Sequence, residues 1–187
     1  MLNLVAALVL AHSATAPTEA ISPTQKRQAA IWAAVYNRTN TQVDVWWDQG
    51  DFPVIIQLIR FQAELYPHDY DIATNLGWMY ENVKDNPNAE AAYSRYASRN
   101  PNDPDAVLPI VQKAYMSKDY KRVIAVANPA ISHKGVHANV FRLLAHSYER
   151  TGDLKNALRV WESYLAVNPE DLTAVKHRDE VKQKLAG

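Results

Sequence analysis

The strongest constraint on this chain is punctuation that returns about every 34 residues. Pro169, Pro101 and Pro67 fall on one phase of that spacing, with Gly135 in the remaining slot. Asp171, Asp103 and Asp69 stand two places after the prolines. Between them lie the turn aspartates Asp153, Asp119, Asp85 and Asp51, and Gly50-Asp51-Phe52 returns as Gly152-Asp153-Leu154. The period from 138 to 171 is the clearest. Phe141, Leu144, Ala145 and Tyr148, then Leu154, Ala157, Trp161 and Leu165, recur at helical spacing. Gly152 suits the left-handed end of one helix and Asp153 the cap of the next. Asn168-Pro169 ends the second helix, because a residue before proline is pushed out of the helical region. Two short helices cannot bury an apolar face alone, so the units must stack on one another.

Two periods share a fuller pattern. One runs Ala73-x2-Leu76-Gly77-x2-Tyr80, Ala89-x3-Tyr93, Pro101; the other runs Phe141-x2-Leu144-Ala145-x2-Tyr148, Ala157-x3-Trp161, Pro169. This resembles the tetratricopeptide repeat (TPR), whose pattern is W-x2-L-G-x2-Y, A-x3-F, P. The resemblance covers residues 36–171. It implies an all-α fold: a right-handed α-solenoid of antiparallel helix pairs, TPR-like, with an extra N-terminal helix and a C-terminal capping helix. The expected organisation is a signal peptide or unstructured N-terminus over 1–20 and a helix over 21–35. Repeats follow over 36–69, 70–103, 104–137 and 138–171, with a cap over 172–187.

Composition excludes several function classes. The chain is 48% hydrophobic and 21% charged, which suits a globular protein rather than a disordered one. Its formal net charge of +0 argues against nucleic acid as a partner, since phosphate binding needs a basic surface. With no cysteine there is no disulfide, thiolate metal site or cysteine nucleophile. Leu2 to Ala11 is apolar apart from Asn3, and small residues follow it. That favours a secretory signal peptide, and so a periplasmic or secreted protein; a cytoplasmic one is the alternative. The run is too short for a stable membrane span.

The repeats are unequal. Ser22-Pro23-Thr24-Gln25 is a capping box with proline at the first helical position, so a helix opens there. The polar residues 37–41 are expected to interrupt it. The first repeat is degenerate, with Thr39, Gln42 and Val43 in its packing slots and Trp46 in the tyrosine slot. In the third, Pro109 falls inside the first helix, which predicts a late start near Asp105. Asn128-Pro129 should end or kink the second helix early. The last helix carries Leu172, Val175 and Leu185 on its expected docking side.

Motifs for catalysis are absent. There is no G-x-S-x-G, no phosphate-cradling glycine loop and no H-E-x-x-H. His133-x3-His137 has Gly135 between its histidines, which makes a loop there rather than a metal-binding helix face. The scattered carboxylates are explained as helix caps. No enzyme, cofactor or metal is therefore expected.

The resemblance implies instead that the first helix of each pair lines a groove for a peptide or protein partner. By register the candidate residues are Asp44, Trp47 and Asp48, then Asp71, Asn75, Trp78 and Glu81. Tyr115 follows, then Arg142, His146 and Arg150. The first half is acidic and aromatic, which suits a basic segment; the last is basic. Solvated helix faces are the plainer explanation of the same charges. Some members of the family clamp a C-terminal carboxylate with paired Lys, Arg and Asn; only Asn75 fits that pattern, so such specificity is not expected. The ranked readings are an interaction scaffold, then a self-associating, homo-oligomeric assembly component, then an enzyme or metal protein.

Overall fold

In the computed structural model, residues 22–186 are described. The signal-peptide reading of 1–20 lies outside them. Among the described residues every regular element is helical: α1 (Pro23–Gln49), α2 (Phe52–Leu65), α3 (Tyr70–Asn82), α4 (Asn86–Arg99), α5 (Leu108–Met116), α6 (Tyr120–Ala130), α7 (Ala138–Arg150), α8 (Leu154–Val167) and α9 (Leu172–Ala186). The chain divides into two compact units, one ending at Arg38 and one beginning at Thr39.

In the first unit the capping box forms. Ser22 N donates to Gln25 Oε1 at 2.8 Å, and Gln25 N donates to Ser22 Oγ at 3.2 Å. The expected interruption at 37–41 is absent, because α1 is helical from Pro23 to Gln49. Asn and Thr are only weakly unfavourable inside a helix, by up to about 0.7 kcal/mol each, and neither Pro nor Gly lies between them.

The second unit is built from paired helices. Each turn between the partners of a pair places one residue at positive φ, followed by an aspartate that starts the next helix. Those residues are Gly50 (φ 74°), Lys84 (φ 65°), Lys118 (φ 61°) and Gly152 (φ 82°). Asp85, Asp119 and Asp153 then accept from Asn88 N (3.3 Å), Arg122 N (3.1 Å) and Asn156 N (3.1 Å). Between pairs, Asp69 and Asp171 cap α3 and α9 through Ile72 N and Ala174 N. His137 takes the equivalent slot and accepts from Asn139 N with its ring at 3.1 Å. Its Nδ1 is thus used as a helix cap.

Close approach within the second pair falls at Gly77. A Cβ there would stand 2.1 Å from Tyr93 Cε1, and Tyr93 is itself buried. Any side chain at this position would force the ring to move. The largest apolar cluster joins the third and fourth pairs to α9 through Val111, Val123, Leu144, Trp161 and Val181. Trp161 is 1% exposed and stacks on His177 of α9, with ring centres 5.2 Å apart and 15° between planes. The second pair meets the third through two small clusters: Ala73, Tyr96 and Ala106, and Ala89, Tyr93 and Ile110.

Three local expectations hold in part. Helix α5 starts at Leu108, later than Asp105, which puts Pro109 in its first turn. A first-turn residue has no intrahelical acceptor for its N–H, so proline costs nothing there. Helix α6 does end early, at Ala130 after 11 residues where its counterparts α4 and α8 have 14, although it runs through Pro129. On α9 the fully buried residues are Ala174 and Val181, and the expected Val175 packs partly buried against the same core, while Leu172 is 80% exposed. Positions 174, 177 and 181 share one helical face, and small Ala174 admits the close packing that a leucine there would block.

The turns generate a stability prediction. A non-glycine residue in the left-handed region costs about 1 kcal/mol, and Lys84 and Lys118 both pay it where Gly50 and Gly152 do not. Lys84→Gly and Lys118→Gly should each stabilise the chain by about 0.5–1 kcal/mol, additively, in chemical denaturation. Destabilisation by either would mean that its turn is not left-handed.

Candidate functional site

The aromatic residues expected at the front of the groove do come together. Trp47, near the end of α1, stacks on Trp78 in the last turns of α3, with centroids 5.4 Å apart and 24° between planes. Phe52, at the start of α2, meets Trp47 edge-on at 5.4 Å and 74°. The pair remains in contact with solvent, Trp47 at 41% and Trp78 at 47% exposure. Helical spacing puts Asp44 and Asp48 on the face of α1 that carries Trp47, and Asp71 and Asn75 on the face of α3 that carries Trp78. All four are exposed.

The carboxylates here divide by partner. Glu81 is neutralised: Lys113 Nζ from α5 lies 2.9 Å from its Oε1 and also donates to Asn86 Oδ1 at 2.8 Å. Asp71 sits in the first turn of α3, where the helix dipole favours it. Asp44, Asp48 and Asp71 form no ion pair among the described residues.

Three of the remaining candidates also make contacts within the fold. Tyr115 is half-buried and packs edge-on against Tyr120 across the α5–α6 turn, at 5.5 Å. Arg142 pairs with Asp171 at 2.7 Å, donates to the Tyr164 hydroxyl at 3.5 Å and lies 5.7 Å from the Tyr164 ring centre. It latches α7 to the start of α9, with its side chain 40% exposed. His146 is half-buried against Trp161 and His177, at 5.2 Å and 4.8 Å between ring centres, with Glu149 3.2 Å from its Nδ1. Burial pushes its pKa below the ordinary value against the pull of Glu149. Arg150 is exposed. Of the basic candidates, Arg150 is the one with no ion pair among the described residues.

Sequence reasoning missed two features. Gln62 is 2% exposed, and its Nε2 donates to Thr39 Oγ1 at 2.8 Å and Asn40 Oδ1 at 2.7 Å. The polar residues of the degenerate first repeat thus satisfy a buried amide. The other is a groove of 440 Å³ between α2 and α4, lined by Arg60, Arg95 and Arg99. Arg95 and Arg99, one helical turn apart and a period after Glu64, were the available signal.

No group of three or more His, Cys, Asp or Glu among the described residues is placed to hold a metal ion. No described helix is long and apolar enough to cross a membrane.

No protein-family model matches the chain, and no curated protein matches it in sequence. Solved structures do match. MamA from Desulfovibrio magneticus RS-1 aligns with TM-score 0.58 at 15% identity, covering 80% of this chain and 85% of that one. Pseudomonas aeruginosa pilF aligns with TM-score 0.57 at 14% identity, over 80% of this chain and 68% of the other. A tetratricopeptide repeat protein from Parabacteroides merdae aligns with TM-score 0.53 at 12% identity, over 81% and 59%. Sequences this distant share the fold alone. That fold is an all-α stack of TPR-like helical repeats, as the spacing of prolines and turns implied.

The Arg142–Asp171–Tyr164 latch generates a pH prediction. Asp171 is held at about 2, from an ordinary 3.8. The main cause is its hydrogen bond from Arg142, then those from Ala174 N and the Tyr164 hydroxyl. A carboxyl with a depressed folded value stabilises the fold above its unfolded value, and that contribution fades as pH falls from about 4 towards 2. Melting temperature should drop over that window in the parent, and drop less in Asp171→Asn. Parallel curves would show that the latch does not hold the cap.

Proposed function

We propose that this chain is a non-enzymatic interaction scaffold. It holds an extended peptide or protein segment along the first helices of its repeats, with a basic side chain of that segment at the Trp47–Trp78 end. The observation that carries this is the solvent-facing indole stack with Asp44 and Asp48 on the Trp47 face of α1, both without an ion pair among the described residues. Asp44 and Asp48 are one helical turn apart, and their mutual repulsion costs α1 a few tenths of a kcal/mol. An arginine or lysine relieves that repulsion and gains a cation–π contact of about 0.5–2 kcal/mol on an outer indole face. The fold supports the general reading, because a stack of helix pairs presents a continuous row of first-helix faces. At the far end Arg142 already pairs with Asp171, which leaves Arg150 as the cation without an ion pair among the described residues.

The test uses a capped, Arg-containing peptide and the full chain. Asp44→Ala with Asp48→Ala should weaken binding several-fold, as should Trp78→Ala, and rising salt should weaken binding to the parent. Unchanged affinity in both variants would remove this site. A stable oligomer whose formation masks Trp78 would favour the self-assembly reading instead.

A further inference from the structure

The groove between α2 and α4 lies on the second-helix side of the first two repeats, away from the Trp47–Trp78 stack. Its volume is 440 Å³, and Ala73 and Leu76 of α3 contribute to its lining. The gap has a local cause. Leu58, Ala92, Val126 and Val160 occupy one position of successive repeats. Val160 is fully buried and Val126 packs against the main core. Ala92 is the small member of the series and lines the cavity.

The rim is cationic. Arg60 comes from α2, and Arg95 and Arg99 come from α4. Glu64 is the one carboxylate in the lining. Arg95 Nη1 donates to Glu64 Oε1 at 2.6 Å and Arg99 Nη2 to Oε2 at 3.0 Å. Each guanidinium carries five N–H donors, so most remain available. Arg60 forms no ion pair among the described residues. Three cations against one carboxylate leave an excess of two positive charges. Phe61, also in the lining, is 54% exposed, a large apolar surface left in water at the mouth of a cavity.

We propose that this groove is a second protein-binding site, which takes an acidic peptide segment carrying one apolar side chain. Carboxylates of the segment pair with Arg60, Arg95 and Arg99, and the apolar side chain enters between Phe61 and Ala92. Charge complementarity selects the partner: guanidinium forks match carboxylates two bonds at a time. The cavity, near the lower end of the size range for ligand pockets, fits one side chain rather than a flat surface. The site is independent of the indole stack and opposite to it in charge preference.

The experiment titrates the full chain into fluorescein-labelled, capped peptides of Asp and Glu around a single Phe or a single Leu. Binding is expected, and it should weaken as salt rises. Arg95→Ala with Arg99→Ala should weaken it about tenfold or more, with the fold checked by circular dichroism. Ala92→Val places the side chain of the sister repeats in the cavity. It should weaken binding without lowering the melting temperature. Asp44→Ala with Asp48→Ala, and Trp78→Ala, should leave acidic-peptide binding intact, so failure of one site is distinguishable from failure of the other. The proposal is overturned if neither peptide binds, or if both rim and cavity variants bind like the parent. Binding to phosphatidylglycerol vesicles with inert peptides would also overturn it.

Discussion

No helix pair in this chain can bury its apolar face alone, and the rest of the structure follows from that. Each pair must meet its neighbour in a fixed register, which the turns set. A left-handed residue and a capping aspartate redirect the chain at the same point of successive repeats. The last face also needs a cover. Helix α9 supplies it by laying Ala174, His177 and Val181 over Trp161. Asp171 then does two jobs, capping α9 and accepting from Arg142, so the cover is tied to the repeat beneath it.

Stacking consumes one set of side chains and leaves another. Residues at the close contacts, such as Gly77 against Tyr93, are fixed by space. The remaining side chains of each first helix are free to differ between repeats, and they do. The first two repeats carry indoles and unpaired aspartates there. The third carries Tyr115, which packs on its own turn, and the fourth spends Arg142 on the latch. Both proposed binding sites therefore fall in the first two repeats, one acidic and aromatic, the other basic.

Features governed by local chemistry were legible in the sequence. The Ser22–Gln25 box, the aspartate caps and the need for glycine at position 77 depend on residues close in sequence or on one packing slot. Features that depend on a distant partner were not. Residues 37–41 look like a break, yet Thr39 and Asn40 are acceptors for a glutamine on the next helix. The bonds from Arg142 to Asp171 and Tyr164 join residues 22 and 29 places apart, which no local pattern announces. On α9 the sequence pointed to Leu172, Val175 and Leu185; Val175 does pack against the core, but the depth of the available space selected Ala174 and Val181 for full burial. Of the candidate site, the Trp47–Trp78 meeting was foreseen in outline, and the lysine that neutralises Glu81 was not.

The central claim is that the indole stack and its aspartates recognise positive charge. Replacing arginine by citrulline tests this most directly, since the two side chains share shape and most hydrogen-bonding groups but differ in charge. Tryptophan fluorescence would follow titration of the full chain with paired peptides differing only at that residue. The account predicts saturable quenching by the arginine peptide and an affinity lower by about tenfold for the citrulline peptide. Equal affinity for the two peptides would contradict it.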